Sequence, residues 1–349
     1  MAATSTALPD DADKTRDETG SDSGTFVQLS VGETMRVLVT GSQGFIGQAV
    51  GRCAVEVGDD VLGIGRSSQP RLDWPGRYVH LDVGQTDLAE LIKNYDPDMV
   101  VHAAGPASVG GSMSAPLDDF RGSVSAWANV LDSVRRSDRR PVILFPSSAA
   151  VYGNPAHLPV SEDEPIAPIS PYGFHKAACE LLAKEYAVCF GLNIVVCRLF
   201  SVFGEWQRRL LVWDLYAQFA GPEPIVWLEG TGEEVRDYLH VGEVASAMMG
   251  LGRDRAGLSA SGACRIVNVA SGEQMAVREL AGHLRDLMGS SKSIRCRGRK
   301  RPGDPLRWCA DVSRLRALVS LWRPRPFLAT LRTCVEAWQA KSEKACCDG

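Results

Sequence analysis

A chain of 349 residues, 45% of them apolar and 23% charged, has room for one large α/β domain or for a nucleotide-binding domain with a smaller partner. A formal net charge of −4 excludes a basic nucleic-acid surface, and no apolar run approaches the roughly 20 residues of a membrane span. The ten cysteines follow no metal-ligand spacing, so the sequence predicts no metal, no nucleic-acid partner, no membrane contact and reduced thiols in a cytoplasmic protein, with Cys53, Cys189 and Cys197 buried in apolar patterns.

Residues 1–34 carry seven acidic side chains against Lys14 and Arg16, with few large apolar ones. Such a segment cannot bury enough surface to offset its ordering entropy and reads as a disordered tail. The first strand is expected at Arg36 to Thr40, followed by a glycine turn and a helix over Phe45 to Val57. Val61 to Ile64, Tyr78 to Leu81, Met99 to His102, Val142 to Phe145 and Asn193 to Cys197 read as further strands. Helical spacing falls between them at Asp87 to Asn94, Pro116 to Arg136 and Tyr172 to Phe190. Strands alternating with helices imply right-handed crossovers and a parallel sheet. After residue 200 the alternation breaks down into loops, isolated strands such as Arg265 to Val269, and short helices such as Val277 to Met288. The expected division is a mainly dinucleotide-binding domain over 35–200 and a mainly substrate-binding lobe over 201–341 with some segments returning, then a frayed end over 342–349.

Three motifs carry chemistry. Gly41-Ser-Gln-Gly44-Phe45-Ile46-Gly47 follows the first strand and opens a helix. Its glycines permit a tight turn, a close approach to a pyrophosphate, and close helix–sheet packing. The second strand ends in Gly65-Arg66, where an acidic residue would hold the ribose of NAD. A cation there suits the 2′-phosphate of NADP, and the plain alternative is a surface arginine. Asp82, after the third strand, could accept hydrogen bonds from adenine, or be an ordinary strand-end Asp. Tyr172 and Lys176 stand four apart at the start of a helix, on one face. An ammonium beside a phenol favours proton exchange near neutral pH, and Ser148 at a strand end can hold the same substrate oxygen.

In this order the motifs resemble the extended short-chain dehydrogenase/reductase family, in particular its UDP-glucose 4-epimerases. The likeness runs from about Arg36 to Trp338. It includes His102-Ala-Ala-Gly105, Ser147-Ser-Ala-Ala-Val-Tyr-Gly153, Ser170-Pro-Tyr-Gly-Phe-His-Lys176, Arg198-Leu-Phe, Arg236-Asp-Tyr-Leu-His240 and Arg301-Pro-Gly-Asp304. The resemblance implies a Rossmann-type, doubly wound parallel sheet of the α/β class with a smaller C-terminal substrate-binding lobe. It implies catalysis by Ser148, Tyr172 and Lys176. The cofactor, NAD(P) with a leaning to NADP, would meet Gly41, Gly44, Phe45, Ile46, Gly47, Arg66, Asp82, Val83, Ala103, Ala104, Tyr172 and Lys176. A nucleotide-sugar substrate would meet Ser148, Ser201, Arg236, Arg301 and Asp304. The chain departs from the family at Ser201 and Ser123, where Asn is usual, and at Gly65, where an acid is usual. Ala149 and Ala150 replace the acid and base that a 4,6-dehydratase needs.

The implied activity is epimerisation of a nucleotide sugar, at C4 through a transient 4-keto intermediate. An NADPH-dependent nucleotide-4-keto-6-deoxysugar reductase uses the same three side chains. A non-catalytic dinucleotide-binding protein is the third possibility. The family also implies a homodimer paired through the helices Pro116 to Arg136 and Tyr172 to Phe190. Trp127, Val130, Leu131, Ala178, Leu182 and Tyr186 are candidates for that interface or for ordinary core.

Overall fold

The computed structural model describes residues 33–71, 73–255, 258, 262–299 and 306–347, the side chains of 341–347 excepted. The acidic segment up to residue 32, Arg301 and Asp304 lie outside the described residues.

The apolar run Arg36–Thr40 forms β1, buried at four of its five positions, and passes through the glycine turn into α1 (Phe45–Glu56). β2 (Asp60–Gly65), β3 (Arg77–His80), α2 (Ala89–Tyr95) and β4 (Met99–His102) follow. The stretch expected as one helix from Pro116 to Arg136 is instead segmented. After α3 (Val109–Ser114) come α4 (Pro116–Phe120), a π-helical turn (Arg121–Ser125) and α5 (Ala126–Arg136). A Cβ at Gly122 would lie 3.0 Å from Pro106 Cδ, so the widened turn sits where the helix presses on the loop after β4.

β5 (Val142–Ser148) continues through a 3₁₀ turn (Ala149–Tyr152) towards α6 (Pro171–Phe190). The ends of α6 are written in the sequence. Ser170 Oγ accepts a hydrogen bond from the Gly173 amide, Pro171 takes the first helical position, and Gly191 closes the helix at φ +70. β6 (Asn193–Leu199), β7 (Ser201–Phe203), α7 (Leu211–Ala220), β8 (Ile225–Leu228), β9 (Val235–Arg236), β10 (Tyr238–His240) and α8 (Val241–Arg253) come next. The chain ends with β11 (Ala263–Val269), β12 (Met275–Ala276), α9 (Val277–Leu287), β13 (Ser293–Cys296), α10 (Ser313–Leu318) and α11 (Phe327–Cys347). Helix α11 continues through Cys347, into the stretch expected to fray.

Seven parallel strands form the central sheet in the order β11-β6-β5-β4-β1-β2-β3. The order reverses between β1 and β4, and ligands of such sheets sit at the carboxyl ends of the strands at that point. Arg265 to Val269 is therefore no isolated strand: it belongs to the sheet edge β11, paired with β6 in register Val269↔Leu199. One apolar layer packs α1, α8 and α10 on one sheet face, and a second packs α2, α5 and α6 on the other. A separate core joins α7, β8, α9 and α11 beside the sheet. Trp127, Val130 and Leu131 are fully buried in the second layer, so they are core and not interface. Cys53 and Cys197 are buried as expected, but Cys189 is exposed near the end of α6. Among the described residues no helix is long and apolar enough to cross a membrane.

Candidate active site

The glycine turn is built by close approach. Gly41 has φ +68, and a Cβ on it would lie 2.5 Å from the Ala104 amide nitrogen. A Cβ on Gly47 would lie 2.3 Å from the Gly41 carbonyl oxygen, so only hydrogen fits at either position. Gly44 enters α1 in extended backbone, and no side chain caps the first amides of that helix. Uncapped N–H groups at a helix start suit an anionic phosphate. Phe45 and Ile46 line the adjoining cleft together with Ala103 and Ala104 from the end of β4. This turn, whose backbone packing leaves no room for a Cβ at Gly41 or Gly47, together with the uncapped helix start fits a dinucleotide.

At the end of β2 the structure adds a constraint the sequence did not carry. A Cβ at Gly65 would lie 2.8 Å from the Tyr78 hydroxyl, which itself donates to the Ser67 carbonyl at 2.6 Å. A side chain at position 65 would have to displace the Tyr78 hydroxyl, which holds part of that space. Arg66 follows, exposed to solvent. Asp82 is exposed too, with one oxygen accepting from the Gly84 amide, while Val83 is buried in the layer under α5.

Pro146, Ser148, Tyr172 and Lys176 line the same cleft, whose volume is about 920 Å³. Lys176 Nζ donates to the Pro146 carbonyl at 2.8 Å and lies 5.8 Å from the centre of the Tyr172 ring. The Tyr172 amide donates to Ser112 Oγ at 3.0 Å, which fixes the helix start against α3. Ser148 Oγ accepts from the Ala150 amide at 3.1 Å, leaving its own O–H to donate elsewhere. The Ala149 and Ala150 side chains are buried methyl groups and offer no proton. The floor of the cleft includes His102, whose Nδ1 lies 2.8 Å from Thr40 Oγ1 and whose ring stacks on Trp127 at 5.0 Å. Burial, and then the charge of Lys176, pushes this imidazole down to about 3, so it is neutral.

On the lobe side, Ser201 and Arg236 line the cleft. Arg236 donates to the Val235 carbonyl at 2.9 Å, and its guanidinium lies 5.7 Å from the Trp308 ring centre. Trp227, Glu229, Arg299 and Trp308 also line it. Sequence reasoning missed all four. Arg299 and Trp308 had a signal, standing two residues before Arg301 and four after Asp304. The neighbouring Asp237 is structural: its carboxylate accepts from the Ser271, Gly272 and Ala310 amides at 2.8, 3.0 and 3.2 Å.

Outside the cleft, Glu205, His240 and Cys334 place ligand atoms within 4.8 Å of one another. The Gly242 amide donates to His240 Nδ1, so Nε2 bears the proton and donates to Glu205 at 3.1 Å. That geometry is a hydrogen-bonded pair.

With this arrangement in view, comparison with known proteins places the chain. It is 30% identical over 311 residues to the UDP-glucose 4-epimerase of Azospirillum brasilense, covering 83% of this chain and 87% of that one. A UDP-N-acetylglucosamine 4-epimerase from Methanobrevibacter ruminantium, solved with UDP-N-acetylmuramic acid, superposes with a TM-score of 0.79 at 28% identity, over 88% of this chain and 99% of that one. The UDP-glucose 4-epimerase of Brucella ovis, solved with NAD, superposes at 0.76 with 29% identity, over 86% and 96%. The family model "NAD dependent epimerase/dehydratase family" matches residues 37–270, and the chain belongs to that family.

Proposed function

We propose that this protein epimerises a nucleotide sugar at C4 through a transient 4-keto intermediate, using a nicotinamide dinucleotide. The observation that carries the reading is the convergence of Ser148, Tyr172 and Lys176 on one cleft with the glycine turn. The nicotinamide supplies reversible hydride exchange with the sugar carbon. Tyr172 takes the proton of the 4-hydroxyl and later returns it, and Ser148 donates its hydrogen bond to the same oxygen. Lys176 holds a positive charge beside the phenol, anchored on the Pro146 carbonyl. Ser201 and Arg236 hold the substrate, Arg236 as a cation for its diphosphate. Arg301 and Asp304 join them in this reading by their motif. The 4-epimerases among the relatives support the choice of C4.

A second reading, reduction of a 4-keto-6-deoxysugar by NADPH, is favoured by one feature. Arg66 stands exposed after a strand end with no carboxylate, where it can pair with a 2′-phosphate. We take the phosphorylated cofactor as the better ligand on that ground. Incubation with UDP-, GDP- and dTDP-sugars, with and without NADPH, tests both readings. Interconversion of C4 epimers without added cofactor is expected, and net consumption of NADPH would establish the reductase instead. We also place the protein in the cytoplasm, as a pair of identical chains. Eight free cysteines among the described residues agree with a reducing compartment.

A further inference from the structure

Tyr172, Lys176 and Glu180 follow one another at spacings of four along α6, so a third polar group lies on the stripe that carries the proposed chemistry. Glu180 is buried, with 2% of its surface exposed, and reaches the ends of two neighbouring strands. Its Oε1 accepts from Ser147 Oγ at 2.6 Å and from Arg198 Nε at 3.1 Å, and its Oε2 accepts from an Arg198 terminal nitrogen at 2.7 Å. Ser147 and Arg198 are direct register partners on β5 and β6. One carboxylate therefore ties α6 to both strands, one residue before Ser148. One helical turn earlier, Lys176 Nζ ties α6 to the preceding residue of β5, at the Pro146 carbonyl.

From this cross-brace we infer that Glu180 is a positioning residue, which through Ser147 fixes Ser148 against Tyr172. The inference rests on the roles proposed above for Ser148 and Tyr172. The strand end needs such a tie because its last residues turn into the 3₁₀ helix 149–152, whose only side-chain cap is the Ser148 hydroxyl. The far side of the network is a separate matter. Arg198 also donates to the Tyr152 hydroxyl at 2.8 Å, and Tyr152 donates to Asn268 Oδ1 at 2.7 Å, joining β6 and β11 beyond the cleft. These bonds fasten the far end of the 3₁₀ turn and β6 to β11, and neither Ser147 nor Ser148 takes part in them.

The two halves can be separated. Removing Glu180 leaves the Arg198 charge buried without its partner, so Ser147→Ala is the cleaner probe, because it cuts only the strand tie. With whichever nucleotide sugar the panel above identifies, Ser147→Ala is expected to lower kcat about tenfold to a hundredfold, as a small misplacement of a reacting group does. Its KM should stay within about twofold of wild type. Tyr152→Phe is expected to lower the melting temperature while keeping kcat within about twofold. On a Ser148→Ala background, Ser147→Ala should add less than about twofold, because its effect runs through Ser148. Wild-type kcat in Ser147→Ala, a full additive loss on that background, or kcat falling in proportion to melting temperature in both variants would overturn the positioning role. Normal turnover in Ser148→Ala and Tyr172→Phe, or no turnover of any sugar in the panel, would instead overturn the underlying assignment and the positioning role with it.

Discussion

At the scale of single residues, the sharpest expectation concerns Tyr172. Phe at this position keeps the ring and the helix start, which is held through the backbone amide, and removes only the exchangeable proton. Turnover should fall about a hundredfold or more while cofactor affinity changes little, as steady-state rates and a dinucleotide titration will read. Arg66 concerns selectivity. Because it is exposed, a charge-assisted contact to a 2′-phosphate is weakened by solvent and salt, and Arg66→Ala should cost NADP about tenfold to a hundredfold more affinity than NAD. Equal losses for both cofactors, or a wild type that prefers NAD, would make Arg66 an ordinary surface arginine. His102 gives a stability signature. Its folded pKa is depressed to about 3 from 6.5, so the unfolded chain binds a proton that the fold refuses. This contribution is complete above 6.5 and is lost as pH falls towards 3, by about 1.4 kcal/mol per pH unit. Urea unfolding of wild type and His102→Asn between pH 7.5 and 5 should show the stability difference between the two shifting against the wild type by that slope as pH falls. The difference cancels groups titrating in both, such as Asp237, whose carboxyl burial raises to about 6.

At the scale of elements, what was legible in the sequence is what local pattern controls. The strand and helix that flank Gly41 to Gly47 and the capped start of α6 were readable because apolar period, proline and glycine act within a few residues. Edge strand β11 was misplaced because its partner, β6, lies more than sixty residues earlier, and nothing local distinguishes a sheet edge from an isolated strand. The π-helical turn at Arg121–Ser125 was invisible for a similar reason: it lies where Pro106, from the loop after β4, closes on Gly122, a tertiary contact that local pattern does not announce. In the site, Ser148, Tyr172 and Lys176 were legible as motifs, whereas Glu180, Trp227 and Glu229 take their positions from tertiary packing. Glycines separate the two kinds of cause. A methyl group at Gly47 would strike the Gly41 carbonyl at 2.3 Å, so Gly47→Ala must push α1 off the turn, and NAD affinity should fall at least about tenfold. Gly282, inside α9, has nothing within 4 Å of the corresponding point, so Gly282→Ala should stabilise the protein by about 0.5–1 kcal/mol. Chemical denaturation of both variants, with a cofactor titration of the first, checks the pair.

At the scale of the whole molecule, the proposed pairing of identical chains needs an exposed apolar face. Periodicity alone marks core and interface residues alike, which is why Trp127, Val130 and Leu131 could stand for either in the sequence; burial assigns them to the core. The surface of α6 presents a different set. Phe174, Leu181 and Val188 are 59%, 69% and 82% exposed, and they recur every seven residues along one face of the helix. Leu117 and Phe120 of α4, which packs against α6, extend the exposed apolar area at 58% and 40%. Exposed apolar side chains on two adjacent helices suit a self-complementary pairing, in which α6 and its neighbour meet their counterparts as a four-helix face. Two of the proposed catalytic residues, Tyr172 and Lys176, lie at the start of the same helix, so pairing would also stiffen the element that carries them. Leu181→Glu places a charge at the middle of the stripe without disturbing any core contact. Sedimentation at micromolar concentration should show wild type as a dimer and this variant as a monomer, with unfolding free energy per chain changed only through the lost association. Trp127→Ala, by contrast, should destabilise the fold by about 3–5 kcal/mol by leaving a cavity. A wild type that sediments as a monomer, or a Leu181→Glu protein that remains dimeric, would remove α6 as the pairing face.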